Sequence, residues 1–142
     1  MLSIAFCDDE PIMLEELFNV VKGYIDSKKV EFTADLFESG EEFVEKGVRC
    51  RKYDIVFLDI EMKEMNGLEA AAWFRKLNEQ SKVIFVSSHV EYTLDAFKVA
   101  AFRYIIKNKD TMTQAVQEAL DACLDINPEI KQVKKYHFTE LD

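Results

Sequence analysis

Five short apolar runs, each followed by a stretch with helical spacing, restrict this chain more than any other feature. Leu2–Cys7 reads as a strand, and Pro11 opens a helix with Leu14, Leu17, Phe18, Val21 and Ile25 on one face. Val30, Phe32, Ala34 and Leu36 alternate with polar residues as a half-buried strand does, and Ser39 is placed to cap a short helix over 40–47. Ile55–Leu58 is apolar throughout, and Asn66-Gly67 turns into a helix carrying Ala70, Ala71, Phe74 and Leu77. Residues 83–86 are a further apolar strand, followed by a helix over about 90–99 and a fifth strand over 102–106. Asp110 or Thr111 is expected to cap a last helix, with Met112, Val116, Ala119, Leu120 and Cys123 at helical spacing.

Five βα repeats imply an α/β domain, a parallel sheet with helices on both faces. Strands one, three and four are apolar throughout, as strands buried on both faces must be. Strand two alternates and Arg103 interrupts strand five, so these two belong at the edges. The doubly wound, flavodoxin-like order 2-1-3-4-5 places them there. A single domain over 1–126 is expected, with Pro128 marking its end. Residues 127–142 read as a linker, with Lys131, Lys134 and Lys135 solvated, or as the start of an output domain absent from this chain.

Charge narrows the function. Eighteen basic against 27 acidic residues leave a net −9, a surface that repels phosphate backbones and favours cations or basic partners. Cys7, Cys50 and Cys123 show no metal-type spacing, and the N-terminus lacks a basic n-region. No apolar run approaches the ~18–20 residues of a bilayer span, so a reduced, cytoplasmic setting away from membranes is expected.

Ligands of an open parallel sheet bind beyond the carboxyl ends of its strands, where neighbouring connections leave on opposite faces. Here Asp8 and Asp9 arrive from strand one, Asp59 from strand three, Ser87 from strand four and Lys107 from strand five. At ~5 Å and an effective dielectric of ~20, each carboxylate pair repels by about 3 kcal/mol. A cation among them offsets that cost, and an all-oxygen site with few protein ligands suits Mg²⁺. A carboxylate can then act as nucleophile and hold a phosphoryl group as an acyl phosphate, with a lysine and a serine on its oxygens. Singly, each residue reads as well as a cap, a turn residue or a solvated lysine; five on one rim of one sheet do not.

Ile-Ala-Phe-Cys-Asp-Asp-Glu-Pro, Val-Phe-Leu-Asp-Ile-Glu-Met and Tyr-Ile-Ile-Lys resemble the three signature segments of response-regulator receiver domains of two-component signalling systems. The resemblance spans residues 2 to about 125. It implies that Asp9, Asp59 and the Glu61 carbonyl contact Mg²⁺ (or Mn²⁺), with Asp8 acting partly through water. It also makes Asp59 the phosphoacceptor, Lys107 the phosphate partner and Ser87 the switch hydroxyl. Tyr104 occupies the place of an aromatic switch, weighed evenly against a packed edge-strand tyrosine. Glu61 and His89 occupy positions that tune hydrolysis of the acyl phosphate, although for His89 a solvent-facing loop residue is the favoured reading. The implied partner is a sensor histidine kinase, with a homodimer through helix four, strand five and helix five. The segment running from Ser87 to Tyr104 is similar to the branch with a LytTR-type DNA-binding output domain, so DNA would be met only through that absent domain.

Two positions depart from the family pattern: Asn108 follows Lys107, and Lys63 follows the strand-three motif, where prolines are usual. Both put geometry in question and remove no chemical group. Two other functions compete. A phosphohydrolase working through an aspartyl-phosphate, of the haloacid-dehalogenase kind, would carry D-x-D on the first strand, whereas Asp59-Ile60-Glu61 follows the third. A phosphate-independent interaction module would not need Asp8, Asp9, Asp59, Ser87 and Lys107 together. The expected protein is therefore a phosphoacceptor switch, not a turnover enzyme.

Overall fold

The computed structural model of the protein describes residues 1–125; the linker and its basic cluster lie outside the described residues. Five strands, β1 (Leu2–Cys7), β2 (Phe32–Phe37), β3 (Ile55–Leu58), β4 (Lys82–Ser87) and β5 (Arg103–Ile106), form one parallel sheet. The order is β2-β1-β3-β4-β5, as the strand patterns required. Helices α1 (Pro11–Ser27), α2 (Gly40–Glu45), α3 (Gly67–Leu77), α4 (Thr93–Lys98) and α5 (Met112–Asp125) connect and follow them, with a 3-10 turn at Gly47–Lys52.

Two apolar layers hold the sheet. On one face Leu14, Leu17 and Val21 of α1 meet Val116 and Leu120 of α5 over Ile4, Phe6 and Phe57. On the other, Phe43, Ala70 and Phe74 cover Ala5, Val56 and Phe85. Alternate residues of β1 and β3 point into opposite layers, which is why both strands read as unbroken apolar runs.

Several boundaries differ from the sequence reading. The helix expected over 40–47 ends at Glu45, because Gly47 takes a left-handed φ of +59° and the chain winds on as the 3-10 turn. Helix α4 is only Thr93–Lys98. At the start of α5 neither Asp110 nor Thr111 is the capping side chain; Asn108 Oδ1 accepts the Asp110 N–H at 2.8 Å instead. The residue standing where proline was expected therefore builds the turn that opens the last helix.

Arg75 closes the bottom of the sheet. Its guanidinium donates to the carbonyls of Val99 (2.8 Å), Ser81 (2.7 Å), Ala100 (2.7 Å) and Asn78 (3.3 Å). One side chain thus ties the end of α3, the start of β4 and the turn where Ala100 holds a φ of +56°. Arg75→Ala is expected to lower the unfolding free energy by about 2 kcal/mol through the stranded carbonyls. Arg75→Lys should recover less than half, since an ammonium cannot fork. Urea midpoints equal to wild type for both variants would show that water satisfies those carbonyls equally well.

Candidate functional site

Parallel register delivers the site. Cys7 pairs with Leu58, and the Asp59 N–H continues the ladder to the Cys7 carbonyl at 2.9 Å, so Asp8 and Asp59 emerge side by side. Ser87 pairs with Ile106, and the Lys107 N–H donates to the Ser87 carbonyl at 2.8 Å. Asp8, Asp59 and Lys107 are the first residues beyond their strands, Asp9 the second beyond β1 and Ser87 the last of β4. The sheet brings the three aspartates and Lys107 together, with Ser87 beside Lys107 on the neighbouring strand.

The carboxylates of Asp8, Asp9 and Asp59 each offer an oxygen within 4.8 Å of the others. Asp8 and Asp59 are buried and Asp9 half-buried. Burial, reinforced by the charge on Asp8, pushes the Asp59 carboxyl up to about 7. Burial also raises Asp8, against the hydrogen bond from the Glu10 N–H and the nearby Lys107. The Lys107 ammonium answers this charge, at 3.1 Å from Asp8 Oδ2 and 3.3 Å from Asp59 Oδ1. Burial opposes its charge, but Asp59 and Asp8 outweigh that and hold its pKa above the ordinary lysine value. Two carboxyl groups share one ammonium before Asp9 is counted, so a hard divalent cation fits the trio on charge and on oxygen chemistry.

Both departures from the family pattern prove constructive. The Lys107–Asn108 peptide is trans, and the lysine still reaches both carboxylates. The Lys63 N–H donates to Asp9 Oδ2 at 3.2 Å, a bond that proline could not make.

The β4–α4 loop closes the site on its second side. Ser87 is fully buried, and its Oγ accepts the His89 N–H at 3.1 Å. Tyr104 is half-buried against Phe85 and donates its hydroxyl to the His89 carbonyl. His89 lies in the loop with its side chain 38% exposed, and it is paired there: Nε2 lies 2.8 Å from Glu61 Oε1 and Nδ1 lies 3.1 Å from Glu91. Tyr92 donates to the other Glu61 oxygen at 2.9 Å, so the side chain of Glu61 is held across the gap between two loops. The sequence reading missed Tyr92 and Glu10. No spacing pointed to Tyr92, whose partner lies 31 positions away, whereas Glu10 stands directly after Asp8-Asp9 and could have been considered with them.

A parallel five-stranded sheet with three carboxylates and a lysine at the carboxyl ends of its strands defines an α/β domain of the doubly wound class with a charged site at its switch point. The family profile of the response regulator receiver domain matches residues 4–118, and the chain belongs to that family. Curated relatives include the transcriptional regulatory protein LytR of Staphylococcus aureus, 31% identical over 103 residues, covering 70% of this chain and 39% of LytR. The sensory transduction protein LytT of Bacillus anthracis is 35% identical over 112 residues, covering 78% of this chain and 43% of LytT. The chain thus spans about two fifths of the length of these relatives. Among solved structures, the response regulator TrrA of Thermotoga maritima, in complex with Mg²⁺–BeF, is 29% identical. It superposes with a TM-score of 0.67 over 87% of this chain and 99% of TrrA.

Proposed function

We propose that this domain is a phosphorylation switch in which Asp59 accepts a phosphoryl group from the phosphohistidine of a sensor histidine kinase. The observation that carries the reading is the Lys107 ammonium shared between buried Asp8 and Asp59 beside the carboxylate trio. Asp8, Asp9, Asp59 and the Glu61 carbonyl would hold Mg²⁺, which neutralises charge on phosphoryl oxygens when bound; the Mg²⁺ complex of TrrA supports this. An Asp59 carboxylate oxygen attacks phosphorus, the donor's phosphorus–nitrogen bond breaks, and its electron pair stays on the imidazole. Lys107 pairs with one phosphoryl oxygen and Ser87 donates to another. Later, water attacks phosphorus, the bond to Asp59 breaks, and phosphate leaves.

Intact-mass spectrometry after incubation with acetyl phosphate and Mg²⁺ tests the reading. One phosphoryl group is expected, only with Mg²⁺ present. No adduct, even with a partner kinase and its phosphohistidine supplied, would favour a phosphate-independent module.

The output side follows from the β4–α4 loop. Drawing Ser87 toward a phosphoryl group pulls the His89 backbone that Tyr104 holds, so serine, loop and tyrosine move together. Leu94 and Phe97, three positions apart on α4, are 77% and 81% exposed and make one apolar stripe, and Val90 of the preceding loop is 63% exposed. We assign that stripe, with β5 and α5, to a homodimer favoured by phosphorylation. Light scattering should show a mass shift on phosphorylation in the wild type and none in Phe97→Asp. Equal mass for phosphorylated and unphosphorylated wild type would sink this assignment. LytR, a transcriptional regulatory protein of which this chain covers 39%, supports a transcriptional output domain beside residues 1–126; in this reading the switch works in the cytoplasm. Among the described residues no helix is long and apolar enough to cross a membrane.

A further inference from the structure

An ammonium has three protons to donate, and that of Lys107 meets three carboxylates. Beyond Asp8 and Asp59, Glu10 Oε1 lies 3.3 Å from Nζ. The three partners are unlike. Asp8 and Asp59 have side chains 4% and 5% exposed, whereas Glu10 is 65% exposed and approaches from the rim. The Glu10 backbone is fixed there, because its N–H donates to Asp8 Oδ1 at 2.9 Å and its carbonyl accepts from the Leu14 N–H. Only the side chain has room to swing.

We propose that Glu10 is a positioning residue that holds the Lys107 ammonium from the rim of the crevice as its third partner and thereby slows phosphorylation of Asp59. The proposal rests on the reading of Asp59 as acceptor. During transfer Lys107 must offer a proton to a phosphoryl oxygen, so one of its three present partners has to release it. The solvated Glu10 is the partner that water replaces at least cost, because an exposed ion pair is worth little. Glu10 also sets a negative charge beside the path of an anionic phosphoryl donor. Held lysine and like charge act in the same direction, against transfer, and neither requires Glu10 to touch the phosphoryl group.

The test is the initial rate of adduct formation against acetyl phosphate concentration, with Mg²⁺, at low and high ionic strength. Wild type is compared with Glu10→Gln and Glu10→Asp. Glu10→Gln is expected to be about threefold to fivefold faster, the effect of losing an exposed ion pair. Glu10→Asp keeps the charge but is one methylene shorter and cannot hold the contact, so it should be faster too, and both gains should shrink at high salt without vanishing, because a contact pair is screened less than a distant charge. A Glu10→Gln rate equal to or below wild type would overturn the proposal. So would a Glu10→Asp rate equal to wild type with salt erasing the Glu10→Gln gain, because that pattern belongs to long-range repulsion alone. A wild type that takes no phosphoryl group at all would overturn the acceptor reading as well, and is told apart by the missing adduct.

Discussion

Asp59→Asn is expected to abolish the phosphoryl adduct while making the metal-free domain harder to unfold. The first effect follows from chemistry: an amide is a far weaker nucleophile than a carboxylate, and its single uncharged oxygen does not form the acyl phosphate. A loss of about a thousandfold or more in adduct is expected, the scale seen when a nucleophile is removed. The second effect follows from burial. Asp59 titrates near 7 in the fold against an ordinary value of 3.8, so holding it ionised costs the folded state free energy at neutral pH. Three units correspond to roughly 4 kcal/mol, and local relaxation and water entry reduce that, so a gain of about 2 kcal/mol is expected for Asn. A raised folded pKa contributes stability below the unfolded value and loses it as pH rises through the folded one. The wild type should therefore weaken between about pH 4 and 7 relative to Asp59→Asn, and the gap should close below pH 4. Urea unfolding in a chelator at several pH values measures this. A gap that stays constant with pH would show that the charge on Asp59 is not the cause, and an adduct retained by the variant would place the acceptor elsewhere.

The same residues show why so much of the site was legible in the sequence. Asp8 and Asp59 each follow a run that is apolar on both faces, which can only be a central strand, and Lys107 follows the edge strand that Arg103 interrupts. Once β1 and β3 are central neighbours, their carboxyl ends meet without any side-chain information. The apolar stripe of α4 was legible as helix but not as surface. Val90, Leu94 and Phe97 have core-like spacing, yet they face solvent and the helix begins only at Thr93. Periodicity reports that residues share a face, not what covers it. The contacts of Glu10 with Lys107 and of Tyr92 with Glu61 span 97 and 31 positions, and nothing local encodes them. The turn made by Asn108 escaped for a different reason. A proline was expected from the family pattern, and the side chain standing in its place was read only as putting the geometry of the loop in question, not as a hydrogen-bonding group.

One constraint was visible as a residue type, and its force appears only in three dimensions. Asn66-Gly67 reads as a turn, and Asn66 does cap α3: its Oδ1 accepts the Glu69 N–H, and its own backbone N–H donates to Glu69 Oε1. Gly67 has a separate task. Its N–H donates to the Ile60 carbonyl at 2.9 Å, and a Cβ here would sit 2.0 Å from the Asp59 carbonyl oxygen and 3.0 Å from Ile60 Cα. Neither neighbour can yield, because the Asp59 N–H is tied to β1 and Ile60 is buried. Gly67→Ala must displace either helix α3 or the backbone that aims the Asp59 carboxylate. A loss of about 3 kcal/mol or more is expected, at the upper end for overpacking and a large share of a domain's net stability. Adduct formation in the folded fraction should fall by more than about tenfold, since a misplacement of this size disrupts transfer geometry. Gly23→Ala is the contrast: it lies within α1, its Cβ meets nothing within 4 Å, and the change should stabilise by up to ~1 kcal/mol. Thermal unfolding of the two variants, with the adduct assay at a temperature where both are folded, separates the outcomes. If Gly67→Ala matched wild type in both measurements, α3 would be free to slide, and the close approach of its first residue to Asp59 would not be what sets the acceptor's position.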